Sequence, residues 1–335
     1  MNFRGAKSWL GRLCRRQFLK RGPRVVAIGG GTGLPVLLRG LKEYTENLTA
    51  IVTVADDGGS SGRLRGEFGI LPPGDIRNCL VALAETETLM DKLFCYRFGQ
   101  GEGLAGHSLG NLLITALTDI SGDFQTAIRE VGKVLKVRGQ VLPSTLRQVV
   151  LHAELEDGTT VSGESKISQS RTRVKRVYLT PGECAAVPEA LKAIVQADLV
   201  LLGPGSLFTS VLPNLLVPEI SDAVRGAPAL KCYICNIMTQ PGETTGFTAS
   251  DHLRALYDHV GPDWIDYIIV NTRRITPAQR EKYAREGSAP VVVDDHGLAR
   301  LGTKVIKADL LEETELVRHD PYKLARTVIR LGCKR

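Results

Sequence analysis

Apolar residues fall along this chain in short unbroken runs, each followed by a loop rich in glycine or hydroxyl groups. Residues 24–28 form the first run, and 48–54, 197–202, 231–237, 266–270 and 290–293 repeat the theme. Runs of this length bounded by turn signals predict buried strands. Strands without polar alternation belong to sheets covered on both faces. Between the first two runs, residues 34–44 carry leucine or valine-type positions at 34, 37, 38 and 41, which is helical spacing. Strand, loop, helix, strand is the opening of a doubly wound parallel sheet. The predicted fold class is therefore α/β, a Rossmann-like, mostly parallel sheet.

Residues 145–180 break the pattern. Val149, Leu151, Ala153 and Leu155 alternate with polar residues, Asp157-Gly158 is a hairpin turn signal, and Thr159 to Val161 begins a return strand. This predicts a small antiparallel β-hairpin insertion within one domain that spans 24–335.

Composition changes the picture in one place. The chain of 335 residues has a net charge of +7, yet residues 1–24 alone hold eight basic groups and no acids. Removing them leaves 35 basic against 36 acidic residues, so the body is neutral and a nucleic-acid partner is not expected. The basic stretch 1–23 also carries Trp9, Leu10, Leu13 and Phe18. It is either a disordered leader or an amphipathic helix, and the second option gives residues 1–22 a peripheral contact with an anionic membrane. It lacks the apolar region of a secretory signal. No run approaches the roughly 18 apolar residues of a membrane span. Seven scattered cysteines fit a reduced, cytoplasmic setting. Cys232 and Cys235 lie three apart on one strand, so they point to opposite faces rather than to a shared metal.

The candidate chemistry lies at the strand ends. Gly29 to Gly33 join the first strand to the first helix. Glycine lets the backbone approach an anion, and the helix end offers free N–H groups, so Gly30, Gly31, Thr32 and Gly33 are candidate phosphate ligands. Leu34 stands where a dinucleotide fingerprint counted from Gly29 needs its third glycine. The second strand ends in Asp56-Asp57, followed by Gly58 to Arg63. Paired carboxylates there can hold a ribose hydroxyl or a divalent ion, with Ser60, Ser61, Gly62 and Arg63 offered to an anionic group. Asp75 is a candidate helix cap, with Arg77 and Asn78 projecting from the first turn. Gly106 to Gly110 match the hydrolase elbow pattern, but no strand precedes Ser108, which is better read as an N-cap. His107 either faces ligand or satisfies its own loop, and Asn111 follows one turn later. Gly203, Gly205, Ser206 and Thr209 form a second glycine loop, and two such loops on one sheet can share the crevice at a switch point.

These segments together resemble a known family. GGGTGL at 29–34, TVADDGGSSGRLR at 53–65, PPGDIRN at 72–78, GHSLGN at 106–111, GPGSLFTSVLPNLLV at 203–217 and YICNIMTQPGET at 233–244 look like the bacterial gluconeogenesis-factor (YvcK) family. That family is related to the 2-phospho-L-lactate transferase CofD and shares its Rossmann-like fold. The resemblance runs from about Arg24 to the C-terminus. It implies a cytoplasmic protein needed for cell shape and wall synthesis on gluconeogenic carbon. It also implies binding of UDP-sugars such as UDP-N-acetylglucosamine, with no established reaction and no obligatory cofactor. Tyr283 and the Arg318-His319-Asp320 segment are implied to reach the sugar-nucleotide. A homo-oligomer is expected. The rival implied by the transferase relative is a phosphoryl-type transfer in which Asp56 and Asp57 hold Mg²⁺.

Overall fold

The computed structural model describes residues 19–85 and 89–332. Of the predicted leader 1–23, residues 1–18 lie outside the described residues. Within the rest, Leu19 is buried and its carbonyl accepts from the Glu46 amide at 3.0 Å.

The described strands are β1 (Val25–Gly29), β2 (Leu48–Val52), β3 (Gln140–Pro143), β4 (Val150–Leu155), β5 (Thr160–Ser162), β6 (Val174–Thr180), β7 (Leu199–Leu202), β8 (Leu230–Ile234), β9 (Tyr267–Asn271) and β10 (Lys304–Ala308). Seven form one parallel sheet in the order β10-β9-β8-β7-β1-β2-β3. Every residue of β1, β2 and β7 is buried, and all but Thr49 of β2 are apolar or glycine. That is the expected result for strands with helices over both faces. The chain runs outward through β1, β2 and β3, then returns to place β7 on the other side of β1. The topological switch point therefore lies between β1 and β7.

The helix Gly33–Leu41 shows how the layers close. Leu34, Leu37, Leu38 and Leu41 are fully buried, each worth about 1.5–3 kcal/mol relative to exposure. On this helix Gly40 lies so close to the C-terminal helix Pro321–Gly332 that a Cβ would overlap the Pro321 carbonyl.

The insertion is a three-stranded antiparallel sheet, β5-β4-β6, rather than a lone hairpin. Leu151, Ala153 and Leu155 of β4 are its buried face, as their alternation predicts. A short helix, Glu164–Gln169, follows β5.

Two strand assignments differ from expectation. Residues 290–293 make only isolated bridges, Pro290 with Met238 and Val292 with Thr248. Proline has no N–H to give a ladder, and Val292 is 61% exposed. The seventh place in the sheet is taken by β10, whose lysines and half-buried aliphatics suit an edge. Asp75 does not cap its helix, Gly74–Leu83. Pro73 occupies the cap position without a side-chain bond, and Asp75 turns instead to the first glycine loop.

Candidate functional site

The two glycine loops meet at the switch point. Gly31 sits at φ 62°, a left-handed conformation that favours glycine. A Cβ on Gly33 would overlap the Pro204 carbonyl, so the loop after β1 and the loop after β7 are in backbone contact. Thr32, at the N-cap of Gly33–Leu41, makes no side-chain capping bond, and the helix has no acid in its first turn. Its amide end therefore faces the crevice uncapped, which is an anion-binding arrangement.

The crevice encloses about 500 Å³. Of the residues predicted from sequence, Gly31, Thr32, Gly33, Gly205, Ser206, Thr209, Tyr283 and Arg318 line it. Sheet order gives it direction. Its apolar wall comes from the segments after β8, β9 and β10: Ile237, Met238 and Val317 cluster with Ile275 and Leu311, and Tyr283, on the helix Pro277–Arg285, packs against them. The Tyr283 hydroxyl accepts from the Val317 amide at 3.0 Å and so fixes the ring beside that wall. Arg318 is exposed at the same end.

The other end is acidic. The Gly31 amide donates to Asp75 Oδ2 at 2.7 Å. A Cβ on Gly30 would lie 2.7 Å from Thr53 Cγ2 and 2.8 Å from Asp75 Oδ2, so glycine permits this approach. Burial pushes the Asp75 carboxyl up to about 6, against the opposing Gly31 bond. Burial likewise raises Asp56, Glu164 and Glu243. Glu243 accepts from the Ser206 hydroxyl and, at 3.3 Å, from Thr209. His319, also lining the crevice, is held down to about 4 by burial, so its imidazole is neutral at physiological pH.

The remaining predicted residues form a support behind the loops. Ser60 Oγ pairs with His107 Nδ1 at 2.9 Å and accepts from Asn111 Nδ2 at 3.1 Å. Ser108 caps the helix Leu109–Ser121 by accepting from the Asn111 amide. Arg77 donates to Ser108, to Asn111 Oδ1 at 3.1 Å and to Asn78 Oδ1 at 2.6 Å. Ser61 Oγ accepts from Gly74 N, and Arg63 donates to the Ala105 carbonyl. Gly62 packs on the Asp57 backbone, and Gly203 makes the turn out of β7 at φ 79°. Ser108 is thus a cap within a polar clasp, with a hydrogen-bonded arginine where a nucleophile would need a base.

Asp56 and Asp57 turn to different partners. Asp56 Oδ1 accepts from Gly58 N at 2.8 Å, whereas Asp57 Oδ1 accepts from Ser165 N at 2.8 Å. Asp57 thereby ties the inserted sheet to the body. Among the described residues no group of three or more His, Cys, Asp or Glu side chains is arranged to hold a metal ion. Cys232 and Cys235 are both buried free thiols that burial pushes up beyond the usual range.

Sequence reasoning missed Glu164, Ser168, Asn236, Gln240 and Val317, which also line the crevice. Asn236 and Gln240 follow β8, and the rule that ligands gather at carboxyl strand ends points to them. Glu164 and Ser168 carry no such signal, because they arrive from the insertion.

Comparison with known proteins agrees with this fold. Residues 25–311 match the family model described as 2-phospho-L-lactate transferase CofD. A protein of Halalkalibacterium halodurans named gluconeogenesis factor is 54% identical over 306 residues, covering 91% of this chain and 95% of the relative. One of the same name from Bacillus subtilis is 53% identical over 310 residues, covering 92% and 98%. The chain belongs to the gluconeogenesis-factor family. A crystal structure of a Bacillus halodurans protein, 53% identical, superposes with a TM-score of 0.90 over 92% of this chain and 100% of that one. The family's CofD-like Rossmann fold is thus the fold described above. Among the described residues no helix is long and apolar enough to cross a membrane.

Proposed function

We propose that this protein binds a nucleotide-sugar of the UDP-N-acetylglucosamine type in the switch-point crevice. Bound there, the ligand controls wall-precursor supply, and with it cell shape, during gluconeogenic growth in the cytoplasm. The observation that carries the reading is the pairing, in one cleft, of the uncapped N-terminus of the helix Gly33–Leu41 with an apolar wall containing Tyr283. Phosphates suit the first and a planar base suits the second. Arg318, exposed beside the apolar wall, supplies a cation suited to the diphosphate. The regulatory role follows the relatives' name, gluconeogenesis factor.

A second reading has its own support in the family model, whose description is a transferase. Under it Asp56, which accepts from the Gly58 amide and from Ser61, would hold Mg²⁺ together with Asp57. Incubation of the purified protein with UDP-N-acetylglucosamine and Mg²⁺, followed by chromatography, separates the two. The regulator reading expects the nucleotide-sugar to bind and be recovered intact. Conversion at enzyme-like rates, with an acceptor or with water, contradicts it.

A further inference from the structure

The acidic end of the crevice holds a group that phosphate binding leaves unused. Glu164 opens the short helix Glu164–Gln169 of the inserted sheet and lines the cleft. Its Oε2 is sealed from solvent and has no hydrogen-bond partner. Native proteins rarely bury a carboxyl oxygen unpaired, so such an atom asks for an occupant. Ser168, one turn later on the same helix, lines the cleft too, and its hydroxyl donates to Glu243 Oε1 at 3.5 Å.

The sheet places this group between the end of β2 and the segment after β8. Asp56 and Asp57, which follow β2, lie close enough to Glu164 to act on its ionisation, as do Asp75 and, from the other side, Glu243. Tyr283, Val317 and Met238 follow β9, β10 and β8. Neighbouring strands are about 4.8 Å apart, so the ends of β2 and β9, four steps apart, are separated by roughly 19 Å. The glycine loops after β1 and β7 lie between. A ligand that puts its base on the apolar wall and its phosphates on the loops therefore directs whatever the distal phosphate carries toward Glu164.

The chemistry of the wall narrows what that group is. Burial, reinforced by the neighbouring carboxylates, raises the Glu164 carboxyl well above the usual range. In the neutral form a carboxyl both donates and accepts one hydrogen bond, which matches a hydroxyl. Ser168 beside it, whose hydrogen is directed to Glu243, offers its oxygen as an acceptor.

We propose that Glu164, with Ser168 beside it, recognises a hydroxyl-bearing group on the distal phosphate, the hexose of the nucleotide-sugar. This rests on the function proposed above and assigns the sugar end of the ligand to the inserted sheet. Glu164 is a specificity residue and carries out no step of a reaction.

The test is calorimetric titration of UDP-N-acetylglucosamine and of UDP into the full chain, wild type and variants, with and without EDTA. Glu164→Ala should weaken UDP-N-acetylglucosamine roughly tenfold, the usual effect of one lost hydrogen bond, and leave UDP unchanged. Glu164→Gln, which still donates and accepts, should retain most of the affinity. Because Oε2 has no protein partner, the melting temperature of Glu164→Ala should not fall. Glu164→Leu repeats the test with the space filled should alanine disturb the helix. Equal losses for both ligands, or no loss for either, overturn the proposal. So does a loss that vanishes with EDTA, which would make Glu164 a cation ligand. Wild-type protein that binds UDP as tightly as the nucleotide-sugar overturns this assignment alone. Wild-type protein that binds neither overturns the proposed function and this assignment with it.

Discussion

Asp75 carries the sharpest residue-level consequence. Its carboxyl is buried against the Gly31 amide, and burial raises it from 3.8 to about 6. A raised carboxyl contributes its stability while protonated and loses it as pH climbs through the folded-state value. Each pKa unit corresponds to about 1.4 kcal/mol. Asp75→Asn, which can still accept from Gly31, should therefore be more stable than wild type above pH 6, by up to about 3 kcal/mol. The gap should close below pH 4. Urea unfolding at pH 4 and pH 7.5 measures it, and an equal gap at both contradicts the burial argument. Gly33 makes a second case. Because its missing Cβ faces the Pro204 carbonyl, Gly33→Ala must push the two loops apart. Nucleotide affinity should fall by an order of magnitude or more, about 1.4 kcal/mol or greater, with the sheet intact by circular dichroism.

Asp57 ties the inserted sheet to the end of β2 by accepting from the Ser165 amide at 2.8 Å. Asp57→Ala should free the helix Glu164–Gln169 at a cost of about 1 kcal/mol, the size of a lost cap. Hydrogen exchange should then quicken at residues 165–168 while β1, β2 and β7 stay protected. Uniform quickening would mean that Asp57 supports the whole fold. The paired carboxylates were legible in the sequence as a strand-end feature, but their division of labour was not. One of them answers to a segment more than a hundred residues away, and no local pattern records such a contact. The same holds for the edge strands. β1, β2 and β7 are buried on both faces and, Thr49 apart, free of polar side chains, so they announce themselves, whereas β3 and β10 carry exposed polar residues, and the apolar run at 290–293 is half-exposed cover.

At the scale of the molecule, the switch point between β1 and β7 organises everything else. The parallel sheet and the meeting of two glycine loops followed from strand-and-loop order in the sequence. The apolar wall did not, because Met238, Tyr283 and Val317 come from three separate segments, after β8, β9 and β10, that only the sheet order brings together. The basic residues 1–18 lie apart from this logic. Their removal, keeping the buried Leu19, should leave nucleotide affinity and melting temperature unchanged, and a large loss of affinity would make the leader part of the site. The central claim is that the crevice binds a nucleotide-sugar through loops and wall together. Isothermal titration of UDP-N-acetylglucosamine into wild type, Gly33→Ala and Tyr283→Ala tests it most directly. The account predicts saturable one-to-one binding by wild type and marked weakening in both variants. Binding that survives both substitutions, or no binding by wild type, would contradict it.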